Sequence, residues 1–336
     1  MKRSKYIVFI TIFTIWSLNV YSQTNYWTNA NGTGVWSDLN NWSLGNVPDG
    51  TEGAIGFDAT LGAAADCFID VAVSLPGEAV TISSNYTNAI SCDNTASIEW
   101  GTLTMGGGSF TMGTNTYIGV NITFGNGSVT RTFDGSAATQ INLTSLSMGG
   151  TGTHITFKAS SNTSNGTILT GNLTYASGSG TNTFTNSSGR FNFSTLASRT
   201  IPALTFYQLV LNNTNSGGIT FTLTSTVTVT NKLILMSSAG STTSFATGTI
   251  NLNGDLDIGS FLGTTAGTYT GTINFNGSTT QNITGAPAAG EGILPTVTIN
   301  HATQLNSGYV TFGGACTNNS TLTTSSGNVN ILECYS

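Results

Sequence analysis

Charge is scarce in this chain. Of 336 residues, 8 are Lys or Arg and 14 are Asp or Glu. Lys2, Arg3 and Lys5 open the sequence, which leaves Arg131, Lys158, Arg190, Arg199 and Lys232 as the only cations beyond it. Nine of the acids fall between Asp38 and Glu99. Such a surface has no electrostatic grip on nucleic acid or on an anionic membrane, because phosphate binding needs clustered Lys and Arg. Histidine is scarcer still: His154 and His301 stand far apart, and no Cys/His cluster has metal-ligand spacing. No G-x-S-x-G accompanies a plausible triad. Helical periodicity is also missing. No long segment after residue 22 places apolar residues at i, i+3, i+4 and i+7 without a Gly or β-branched interruption.

What the chain does contain is 42 Gly, 38% hydrophobic and 10% aromatic residues, with abundant Ser, Thr and Asn. Low charge combined with many β-branched and aromatic residues argues against disorder. The composition predicts an all-β protein with many turns. The opening MKRSKYIVFITIFTIWSLNVYSQT pairs a basic start with an apolar run over Tyr6–Leu18, and small residues precede a cut at Gln23. That layout is a secretory leader over 1–22. The run falls short of the roughly 20 apolar residues a membrane span needs.

Internal echoes organise the rest. GTINLNG at 248–254 returns as GTINFNG at 271–277, a step of 23 residues. LTMGG at 103–107 returns as LSMGG at 146–150, and FDGSAATQI at 133–141 returns as FNGSTTQNI at 275–283. One such unit cannot bury its own apolar side; stacked units bury a continuous column. Asn251 is then expected over Asn274, and Asn253 over Asn276, as amide ladders. The fold expected is a right-handed parallel β-helix, or β-solenoid, with tandem antiparallel β-sandwiches as the alternative. The division is a leader (1–22), a cap with the first coils (23–100) and the repeats (101–336).

Cys67, Cys92, Cys316 and Cys334 lie as two local pairs at opposite ends. In an exported chain they read as disulfides Cys67–Cys92 and Cys316–Cys334, or as four buried thiols, since spacing does not fix connectivity.

Residues 26–48, YWTNANGTGVWSDLNNWSLGNVP, hold four large aromatics: Tyr26, Trp27, Trp36 and Trp42. They fit a plug that closes the first coil. They also fit a glycan-binding site, since an aromatic face packs on the C–H face of a sugar. The motif formed by Trp27, Gly32, Gly34, Trp36, Ser37, Asp38, Asn41, Trp42, Ser43, Gly45 and Pro48 resembles the opening of large secreted β-helix proteins of bacterial surfaces, particularly Bacteroidetes-type. The repeats resemble the same group. The resemblance implies surface or extracellular placement and no catalytic residue. Such proteins often end in a basic type IX sorting domain, whereas this chain ends NVNILECYS, so the resemblance leaves the export route open.

Asp255 and Asp257 in NGDLDIGS are two apart, on one strand face, and are calcium candidates. No other cofactor is indicated. Asp58, Asp66 and Asp70 are a second acidic group, without the spacing of calcium-binding nonapeptides. In ITFTLTSTVTVT, residues 219–230, every even position is Thr, which predicts one strand with a pure threonine face. Recurrence of that face at the coil period would suit ordered water on ice. Five of the chain's Thr-x-Thr pairs, those beginning at 102, 151, 181, 268 and 321, do not follow a 23-residue step, so ice binding is a remote alternative. The function expected is an exported structural or adhesive protein that meets an extracellular glycan or protein surface. A polysaccharide lyase or hydrolase on the same scaffold is the alternative.

Overall fold

Alternation sets the inside and outside of each strand. In Arg190–Thr195, RFNFST, residues Phe191, Phe193 and Thr195 are buried while Arg190, Asn192 and Ser194 face out. Thr249–Leu252 and Thr272–Phe275 follow the same rule. The computed structural model describes residues 23–336 apart from 96, 115, 150–153, 177–180, 187, 238–242, 259–269, 290, 327, 332–333 and 336; side chains at 120, 245 and beyond 326 are also outside it. The leader assigned to 1–22 lies outside the described residues.

The chain is a β-solenoid. Neighbouring coils pair in parallel, from Thr24↔Ala54 at the base to Cys316↔Cys334 at the top. Among the described residues the only helical element is a single 3-10 turn, Leu39–Asn41. Tandem antiparallel sandwiches are excluded by the parallel ladders. The coil step is not constant. It is 18 residues between Ile293 and Thr311 and 30 between Thr24 and Ala54. Each coil offers three strand faces. The amide face begins at Cys67–Ile69 and Ala89–Cys92 and reaches Thr249–Leu252 and Thr296–Ile299. The charged face includes Arg190–Thr195 and Asp255–Ile258. The hydroxyl face includes Ile219–Leu223. Long strands carry two faces: in Gln140–Met148 the first half pairs with Gly166–Leu169 and the second with Leu173–Tyr175.

Stacking aligns like residues inside. Phe110, Phe133, Phe157 and Phe184 form a near-parallel ring stack with centroid spacings of 5.5, 5.3 and 6.0 Å. Parallel coils enforce this repeat, and each ring pair adds about 0.5–1.5 kcal/mol beyond burial. At the base Trp27, Trp36 and Trp42 are 0%, 1% and 3% exposed. Trp42 meets Trp36 edge-on at 4.6 Å and Trp27 at 5.3 Å. The Trp42 indole N–H donates to the Trp36 carbonyl, and that of Trp27 to the Ala65 carbonyl. These rings close the first coil as the plug reading expects. Buried Glu52 ties down the adjoining loop by accepting from the Asn46 amide and the Gly50 backbone N–H.

Two expectations fail. The Cys67–Cys92 disulfide is absent; both are free thiols. Cys67 is level with Ile90, and Cys92 with Ile69, so the pair is two residues out of register. That offset puts the Cα atoms about 8 Å apart, beyond the roughly 7 Å limit for a bridge. Burial pushes the Cys92 thiol up to about 12 and holds that of Cys67 well above the usual thiol range. Cys316 and Cys334 are level on adjacent coils; the Cys334 side chain lies outside the described residues. The threonine run is not one strand either. Ile219–Leu223 lies on the hydroxyl face and Thr226–Ser237 starts on the amide face, with exposed Thr224–Thr226 at the corner between them.

Arg131 was not singled out in the sequence and is fully buried. It donates to the carbonyls of Gly106, Asn126 and Gly127. Gly127, at φ +131°, makes room for the guanidinium: a Cβ there would sit 2.9 Å from Nη2.

Candidate functional surfaces

On the charged face, register brings separate coils together. Arg190 is level with Gln208, Gln208 with Lys232, and Lys232 with Asp255. Lys232 Nζ lies 2.7 Å from Asp257 Oδ2. Asp255 accepts from the Asn282 backbone N–H at 2.8 Å and from its amide at 3.3 Å. The two calcium candidates are thus on one face, as expected, and each is already engaged, one of them by a cation. Among the described residues no three Asp, Glu, His or Cys side chains gather as a metal site. The sequence did not show that Lys232 would reach these acids, because the contact depends on coil length.

Nearer the base, the Pro76–Glu78 segment bulges where the register slips between Leu75 and Ala79. Above it is an open depression of ≈330 Å³ lined by Pro76, Glu99, Ile118, Asn142, Ile168 and Thr170. Its floor alternates aliphatic and amide side chains from successive coils.

Of the four aromatic candidates, Trp27, Trp36 and Trp42 present no face to solvent. Tyr26 is half-buried, and its ring lies against Gly56, where a Cβ would meet Cδ1 at 2.6 Å. Asp58, beside it, accepts from the Asn85 amide at 2.9 Å and from the Thr60 and Leu61 backbone N–H groups. These donors, the Asn85 bond foremost, hold its carboxyl down at about 2. Asp66 and Asp70 are also bonded within the fold, to Asn88 and to Ser37. His154 is exposed, with Nδ1 3.1 Å from Thr181 Oγ1, and His301 is half-buried.

The amide face carries the predicted ladder at Asn251 and Asn274, while the Asn276 amide donates to Asn251 at 3.2 Å instead of to Asn253. Thr249, Ile250, Asn251 and Leu252 are level with Thr272, Ile273, Asn274 and Phe275. The Asn274 amide donates to Asn251 at 3.3 Å, Asn300 to Asn276 at 2.7 Å and Asn319 to Asn300 at 2.8 Å.

The hydroxyl face carries a row that residue numbering concealed. Thr81 is level with Thr104, Thr104 with Thr123, Thr123 with Ser147 and Ser147 with Thr174. Thr200 is level with Thr222 higher up, and Thr174 and Thr200 line one shared depression. Beside it runs a second row in which Ala79, Thr102, Asn121 and Ser145 are successively level. All of these side chains project outward between fully buried Val80, Leu103, Ile122 and Leu146.

No helix among the described residues is long and apolar enough to cross a membrane. No protein-family model, curated protein or solved structure matches this chain.

Proposed function

We propose that this protein is an exported, surface-associated solenoid that acts through its outer faces, as a structural or adhesive element toward an extracellular glycan or protein. The observation that carries this reading is the unbroken stack of coils, which lays weakly charged Thr, Ser and Asn rows along its length. Such rows offer many donors and acceptors with little side-chain entropy to lose, because β-branched Thr is stiff at χ1. The leader-like residues 1–22 support export. The open depression above Pro76 is a place on this surface for a sugar or peptide segment, with aliphatic Ile118 and Ile168 beside the Asn142 amide. Binding of residues 23–336 to a glycan array, with and without calcium, tests the reading. A specific hit weakened by Ile118→Asp supports it; no retention on glycans or extracellular matrix proteins refutes it.

A specific observation favours a second reading, a polysaccharide lyase or hydrolase. Lys232, Asp255 and Asp257 stand together on the charged face, which supplies both a cation and two carboxylates for acid–base work. Release of oligosaccharides from acidic polysaccharides, abolished by Lys232→Ala, would support it. Absence of product across such substrates would sink it.

A further inference from the structure

We propose that the hydroxyl face binds ice. The proposal goes beyond the adhesive reading: it takes up the Thr and Ser rows that reading also uses, and leaves aside the depression above Pro76, which lies on another face.

The first observation is the register. Ladder pairing, rather than chance proximity, aligns Thr81, Thr104, Thr123, Ser147 and Thr174. Parallel pairing repeats their hydroxyls at about 4.8 Å, and the second row lies two residues along the strands, about 6.6 Å away. Ala79 adds no oxygen, but Thr102, Asn121 and Ser145 set a second line of oxygens beside the first, a short two-dimensional array with the repeat of a crystal lattice.

The second observation is what these oxygens do. Among the described residues Ser145 of the second row is bonded to Asn121, but the hydroxyls of the first row, Thr81 to Thr174, and those of Thr200 and Thr222 make no hydrogen bond to the protein. Each hydroxyl therefore has one donor and two acceptor sites to offer water. The amide face differs: its asparagines bond to one another from coil to coil. Unspent, aligned hydroxyls present ready-made positions for a lattice of water; a self-satisfied ladder does not.

The third observation is the surrounding chemistry. Each threonine sets a methyl group beside its hydroxyl, and apolar surface favours an ordered first water shell. The two rows carry no charged side chain to impose a competing hydration shell. No aromatic ring lies in either row over Thr81–Thr174 to stack on a sugar. The fully buried residues between the rows hold the array rigid before water arrives, which lowers the cost of binding.

The test uses residues 23–336. The readouts are ice recrystallisation in a frozen sucrose film and partition of protein into a slowly growing ice front. The native chain is expected to keep crystals small and to enter the ice. Thr104→Lys with Thr123→Lys, on adjacent coils, should abolish both effects. Thr249→Lys with Thr272→Lys, a register-matched pair on the amide face, should leave both intact. Thr104→Val with Thr123→Val keeps shape without hydroxyls and should lose most of the effect with unchanged melting. A native chain that stays in the liquid overturns the proposal. So does equal loss in the amide-face pair, or adsorption to powdered cellulose or chitin without any effect on ice.

Discussion

Replacing Trp36 by Ala removes the centre of the basal plug. Its ring is 1% exposed and touches Trp42 at 4.6 Å, Trp100 at 6.2 Å and Phe57 at 6.4 Å between centroids. A buried Trp→Ala change costs about 3–5 kcal/mol. The Trp42 indole donates to the Trp36 backbone carbonyl, which alanine keeps, so the loss is packing alone. In a solenoid each coil leans mainly on its neighbours, so the damage should stay near the base. Each 1.4 kcal/mol is a factor of ten in an equilibrium, so about 4 kcal/mol becomes a fall in protection approaching a thousandfold. Hydrogen exchange read by mass spectrometry should show it in peptides covering 24–57 and 67–92. Peptides covering 249–258 and 272–284 should be unchanged. Trp36→Phe should fall between Ala and native. Unaltered protection at the base would refute the plug, and a uniform loss over the chain would refute coil-by-coil stability.

Asp58→Asn should weaken the fold at neutral pH through its bonds to Asn85 and the Thr60 loop. The folded carboxyl is depressed to about 2, so its contribution is present above the ordinary carboxylate pKa and fades as pH falls toward 2. Denaturation of native and variant chains should therefore converge only as pH falls through about 2; a constant gap from about pH 7 down to about pH 2 would refute the assignment. Cys67 and Cys92 should resist iodoacetamide in the native state and react after unfolding, because buried thiols with raised pKa are poor nucleophiles; an intact Cys67–Cys92 disulfide in a peptide map would contradict the register. Arg131→Met should leave the carbonyls of Gly106, Asn126 and Gly127 without their donor and cost roughly 2–4 kcal/mol, seen as a lower thermal midpoint.

The repeats made the architecture legible. GTINLNG and GTINFNG differ at one position, and the structure sets them level residue by residue. The aromatic base was legible too, because an open first coil must be closed by something large. What did not follow from the sequence was anything that depends on coil length. From Thr81 the row advances to 104, 123, 147 and 174, steps of 23, 19, 24 and 27 residues, with serine standing in at 147. A fixed 23-residue step cannot find such a row. The same variation put Cys92 two residues past Cys67's level and brought Lys232 to Asp257. The threonine run at 219–230 concealed its corner because Thr224, Ser225 and Thr226 keep the strand alternation through the turn.

The difference between asparagine and threonine rows follows from reach. Adjacent coils are about 4.8 Å apart, while an O–H···O bond spans about 2.7–2.8 Å. A carboxamide, longer and carrying both donor and acceptor, closes that gap, and Asn251, Asn274, Asn276 and Asn300 take up bonds along the stack. A threonine hydroxyl sits one bond from Cβ and generally falls short. Thr220 reaches Ser244 at 2.8 Å and Ser145 donates to Asn121, but the main row from Thr81 to Thr174 makes no such bridge. Asparagine rows therefore turn their polarity inward along the stack and stabilise it, while hydroxyl rows leave theirs for the solvent. A solenoid that uses amides on one face and hydroxyls on another has separated the surface that holds coils together from the surface that meets water.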